Sequence, residues 1–157
     1  MEQKNSISGI YIGLLGLVTL ACGLADIFVW AGITSGFQVG ILEIAGGDDF
    51  FRWAWGGGFI MVCAGLFMLA GSRNALSLQQ FGKVTLGAVL VWVIGGTDIF
   101  ARLCENIPAG GEEAPEFFNS FSGFIGGFAP PYPPAVILLP FTLVILYLLY
   151  MRAYDTD

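Results

Sequence analysis

Between Val84 and Glu105 the chain reads VTLGAVLVWVIGGTDIFARLCE, an apolar run of helical length that nonetheless carries Asp98 and, one turn later, Arg102. Such a run is about as long as a bilayer requires. A matching run near the N-terminus carries Asp26, followed by the same Ile-Phe pair. A charge inside a membrane segment is costly, so each of these groups has to face protein or water and have a partner. That demand constrains every later step of the reading.

Composition identifies the solvent. Of 157 residues, 56% are hydrophobic and only 11% are charged, where a soluble domain carries about 25% charged residues. With a mean hydropathy of +0.78, the chain reads as an integral membrane protein. Its apolar runs are continuous, so a barrel, which needs alternating segments of about ten residues, is rejected in favour of an all-α fold. The net charge is −6 and no basic patch exists, which excludes nucleic acid as a partner. With no His, the commonest transition-metal ligand and a His-based acid–base mechanism are missing. Cys22, Cys63 and Cys104 fall one per hydrophobic run without CxxC spacing and read as small apolar fillers. No cofactor is predicted. The aromatic content, 14 Phe among it, suits contact with ordered lipid, a quinone or a carotenoid as well as helix interfaces.

Four runs are expected to span: Ile10–Ile33, Trp55–Gly71, Val84–Cys104 and Ala135–Met151. The first continues past Cys22, longer than the apolar region of a signal peptide, and is read as a transmembrane helix. Lys4, Arg73, Lys83 and Arg152 flank one end of these runs, whereas the two long loops are acidic apart from Arg52. The basic bias predicts cytoplasmic N and C termini in a multi-pass protein of the plasma membrane. Trp30, Trp53 and Trp55 mark the expected outer boundary, and Tyr147, Tyr150 and Tyr154 the inner one, with Trp92 well inside.

The chain also reads as a single membrane domain, 1–157, built from two hairpins, 6–73 and 82–152, with a long outer loop at 106–134. A shift of 72 residues lays Gly23-x-x-Asp26-Ile27-Phe28 on Gly95-x-x-Asp98-Ile99-Phe100. Gly46-Gly47-Asp48-Asp49 is echoed by Gly110-Gly111-Glu112-Glu113, and Phe50-Phe51 by Phe117-Phe118. The order predicts a parallel internal repeat about an axis along the membrane normal.

Asp26 follows Gly23 on a small-residue face that includes Gly9, Gly13 and Gly16, so it is expected in a helix contact. Gly95 is its counterpart before Asp98. Asp98 and Arg102 are four apart, where an ion pair can form. Trp30 replaces the Arg in the first repeat, so Asp26 has to find Arg102, Arg52, a backbone donor, another subunit or a proton. One reading makes Asp26, Asp98 and Arg102 an intramembrane polar staple between helices. The other makes the acids a relay or counter-ion. The inner halves of the runs offer only Thr19, Thr85 and a few hydroxyls as further polar steps, which argues against a path through the membrane.

The outer loop ends in FFNSFSGFIGGF and Pro130-Pro131-Tyr132-Pro133-Pro134, too short and broken to span. Phe117, Phe118, Phe121, Phe124 and Phe128 are expected at the headgroup layer or against another subunit. Neither acidic pair has the alternating oxygens of a calcium loop, and no nucleophile–base constellation is visible, so no enzyme is expected. The expected function is a non-catalytic accessory subunit of a membrane complex, partnered by other integral membrane subunits and lipids. The rival is a small proton- or ion-coupled carrier using Asp26 and Asp98.

Overall fold

Helix α1 (Glu2–Trp30) is followed by a hairpin of β1 (Phe37–Val39) and β2 (Leu42–Ile44). A π-helical segment, Phe50–Ile60, then runs directly into α2 (Met61–Ser72), and α3 covers Leu78–Glu105. The seven-residue α4 (Phe121–Gly127) precedes α5 (Pro134–Tyr154). This computed structural model describes residues 2–47, 49–73, 77–105 and 121–154. The acidic and aromatic residues expected to matter at Asp48, Glu112, Glu113, Phe117 and Phe118 lie outside them.

Each long helix buries a stripe spaced three and four residues apart. On α1 it is Ile12, Leu15, Thr19; on α2 Met61, Ala64, Met68; on α3 Phe81, Val84, Ala88, Val91, Ile94; on α5 Ala135, Leu138, Thr142, Ile145. That spacing is the seam of gently crossing helices. α1 packs on α2, α2 on α3, and α3 on α5, while the Tyr11 hydroxyl donates to the Phe141 carbonyl (2.7 Å) and ties α5 to α1. The side chain of Trp92, deep in α3, is satisfied in the same way: its indole N–H donates to Thr142 Oγ1 at 2.6 Å.

The glycine face of α1 lies against α2. A methyl group on Gly23 would sit 2.7 Å from the Val62 amide nitrogen, one on Gly16 2.9 Å from Met68 Cβ, and one on Gly9 2.8 Å from the Ser72 carbonyl oxygen. Gly13 faces the Ser72 side chain, and Gly95 faces Leu139 and Ala135 of α5. The outward faces are apolar: Ile7, Ile10, Leu14 and Leu17 on α1, Leu86 and Val93 on α3, and Phe141 and Leu143 on α5 are all exposed. A water-soluble bundle would place polar side chains there.

The protein is mostly helical, and among the described residues three helical stretches are long and apolar enough to cross a membrane: Ile7–Trp30, Phe50–Ser72 and Leu78–Cys104. Pro134–Leu148 is a shorter apolar helix. The second stretch begins five residues before the expected Trp55, because Asp49 caps it. Asp49 Oδ1 accepts from the Phe51 and Arg52 amides at 2.9 and 3.2 Å. The hairpin departs from an all-α reading. Gly40, at φ +60°, opens a two-residue turn between the paired Val39 and Leu42, a geometry that favours Gly in this place.

Candidate functional site

The core stripes of α1 and α3 each end, at the hairpin end of the bundle, in a carboxylate. Continuing the three-and-four spacing past Thr19 reaches Asp26, and past Ile94 it reaches Asp98. The same geometry that puts apolar side chains into the core therefore turns both acids inward. Asp26 is only 3% exposed, and Asp98 is half-buried.

Both acids line one small cavity of about 30 Å³. Arg52, Trp53 and Gly57 of the π-helical segment complete its walls, Met61, Ile94 and Ala135 give it an apolar side, and Pro133 with Pro134, the first residue of α5, closes it. Both carboxylates and the Arg52 side chain thus border the same space. The Arg52 guanidinium also stands 5.1 Å from the Trp53 ring centroid. Asp26 Oδ1 is buried and finds no hydrogen-bond partner among the described residues, an arrangement that costs free energy unless something else satisfies it.

The π-helical segment itself comes close to Asp26. A wider helical turn in a run of three glycines, Gly56–Gly58, leaves its backbone unshielded. A methyl on Gly57 would lie 2.8 Å from Asp26 Oδ2, and one on Gly58 2.6 Å from Ile27 Cγ1. Only glycine leaves room for both side chains.

Arg102 holds the loop over the site. Its Nη1 and Nη2 donate to the Ala129 and Pro131 carbonyls at 3.0 and 2.9 Å, and its guanidinium lies 5.5 Å from the Tyr132 ring centroid. Tyr132 in turn joins the hairpin: its amide donates to the Ile41 carbonyl (2.8 Å), and its carbonyl accepts from the Glu43 amide (3.0 Å). Its hydroxyl donates to the Phe128 carbonyl. The proline-rich approach to α5 is thus clamped between β2 and Arg102, directly over Pro133 and Pro134.

No family model, no curated protein and no solved structure matches the chain. Its function has to be argued from this geometry.

Of the residues singled out from the sequence, Asp26 and Asp98 meet at the cavity, while Arg102 engages the loop above it. Gly9, Gly13, Gly16, Gly23 and Gly95 occupy contacts within the chain. Phe121 is exposed on α4; the side chain of Phe124 lies outside the described set. Gly57 and Trp53 were not assigned to a site by sequence reasoning. Their signal was the position of Gly56–Gly58 one helix away from a buried acid, but which helix would meet Asp26 is not written locally.

Proposed function

We propose that the chain is a non-catalytic subunit of a larger membrane assembly, in which Asp26 and Asp98 join helices and carry nothing across the lipid. The observation that carries this reading is the apolar layer beneath the cavity. Met61 and Ile94 line it, and below them Leu15, Ala64, Val91, Ile12, Met68, Ala88 and Val84 fill the centre, all fully or nearly fully buried. Thr19 and Thr142, the polar side chains buried within this layer, are turned back onto the Leu15 and Leu139 carbonyls of their own helices. A wet path would need polar groups free to exchange partners.

In this reading the chain crosses the plasma membrane four times with both termini in the cytoplasm. The 17 residues of Ala135–Met151 extend about 26 Å at 1.5 Å per residue, at the short end of what a membrane-spanning helix needs. Lys4, Arg73, Lys83 and Arg152 would then lie together on the cytoplasmic side. Convergence of Asp26 and Asp98 on one cavity is what a parallel duplication of two hairpins would produce. The glycine faces are used within the chain, so a partner subunit would dock on the exposed apolar faces or on the loop end.

The rival reading, an ion- or proton-coupled carrier, draws support from one observation, the unsatisfied Asp26 Oδ1 in a cavity. Flux separates the two. Purified protein in liposomes under an imposed proton or sodium gradient should leak no faster than protein-free vesicles, and in native membranes solubilised in mild detergent the chain should migrate in a larger assembly. Gradient-driven flux abolished by Asp26→Asn would replace this reading with the carrier.

A further inference from the structure

The cavity between Asp26 and Asp98 is too small for an organic ligand, since such sites occupy roughly 300–1,000 Å³. At about 30 Å³ it nonetheless exceeds the roughly 10–15 Å³ that one water-sized particle needs. An occupant would therefore be of atomic size. The ionisable residues lining it are two acids and one base, so with both acids ionised one negative charge is in excess among them. A bare negative charge in a membrane helix is costly, and one positive charge removes the cost.

A carboxylate oxygen faces the space that Gly57 leaves open. From the point where a side chain would begin, Asp26 Oδ2 lies 2.8 Å away. Asp26 Oδ1, on the same buried carboxylate, has no donor among the described residues. Carboxylate oxygens are ligands of hard cations. A proton on one acid would neutralise the excess but leave the cavity to water, and a divalent ion would over-neutralise the site. Among the described residues no group of three or more His, Cys, Asp or Glu is gathered to hold one.

We propose that this cavity binds a single monovalent cation of sodium size, held between Asp26 and Asp98 beside Gly57. The inference does not require flux: an ion resting here is compatible with a sealed core, so liposome leakage and ion binding succeed or fail separately.

The test is thermal unfolding of the purified full chain in detergent, followed by helical circular dichroism, with sodium chloride titrated against choline chloride at constant ionic strength. Sodium should raise the midpoint saturably, by about 5–10 °C at a hundredfold excess over its dissociation constant, and choline should not. Asp26→Asn should abolish the shift. Gly57→Ala, which keeps every charge and fills the space, should abolish it too and serves if the Asn variant does not fold. Gly96→Ala, in open surroundings, should keep it. Equal effects of sodium and choline, no saturable shift at all (a cavity holding water or a proton only), or a sodium shift surviving in both site variants would each overturn the proposal.

Discussion

The tight seam between α1 and α2 makes a prediction with a sign. Replacing Gly23 by Ala puts a methyl 2.7 Å from the Val62 nitrogen, 2.9 Å from the Gly58 oxygen and 3.0 Å from Met61 Cβ, where ordinary contact begins at 3.4 Å. Two of those atoms are backbone, so α1 must retreat by roughly 0.7 Å, reopening the contact along the neighbouring turns. Overpacking of this kind costs about 1–3 kcal/mol, and a site facing two backbone atoms falls toward the upper part of that range. Ala recovers about 1 kcal/mol of helix propensity, leaving a net loss of about 1–2 kcal/mol. Gly96 of α3 is the matched control, because nothing lies within 4 Å of its added methyl; there the propensity gain stands alone. The two variants should differ by about 2–3 kcal/mol, which is about 5–10 °C in the unfolding midpoint. The measurement is unfolding of each purified variant in the same detergent. If the glycine stripe served a foreign helix, the isolated chain would tolerate Gly23→Ala and only an assembly would suffer. Equal midpoints for the two variants would refute the internal seam.

Two further perturbations probe the joints around the site. Trp92→Phe and Thr142→Val, singly and together, should show a coupling of about 0.6 kcal/mol, typical of a side-chain hydrogen bond between membrane helices, with additivity counting against the 2.6 Å bond. Arg102→Lys keeps the charge but loses the planar fork that reaches both Ala129 and Pro131; hydrogen exchange at the Tyr132 and Glu43 amides should rise about tenfold, equivalent to one lost hydrogen bond of about 1.4 kcal/mol, while the middle of α3 is unchanged.

What could be read from the sequence was whatever repeats at helical spacing. The long apolar runs give the helices, and the positions of Gly9, Gly16 and Gly23 give a face on which Asp26 follows naturally. The partner of that face could not be read, because α1 meets α2 through glycines that carry no label of their own. The second helix begins at Phe50 rather than near Trp55, since Asp49 before the apolar run caps it. That shift matters, since it brings Arg52 and Trp53 onto a helix and into the cavity. The junction of β2 with Tyr132 joins residues about ninety positions apart, and no local pattern announces it. Arg102 was paired in expectation with Asp98, its neighbour on the helix. The loop carbonyls that its guanidinium also reaches become visible only once the proline-rich segment is placed.

The two acids belong to helices that pack chiefly on α2 rather than on each other. Alone, a pair of ionised carboxylates meeting at a cavity would push α1 and α3 apart, and the low-dielectric surroundings would strengthen that push. A positive charge set between them reverses the sign of the same interaction and turns a repulsive pair into a link across the face of α2. Arg52 supplies part of that charge from the π-helical segment, at the edge of the cavity where it remains exposed. On the cation proposal the excess negative charge is met inside, beside Gly57, where Asp26 is buried. Replacing Asp26 and Asp98 with leucines would extend the apolar stripes and, by the usual balance for buried ionic groups, need not destabilise the fold. The acids are therefore poorly explained as stabilisers in isolation. On the readings proposed above they form a tie whose strength depends on what occupies the space between them.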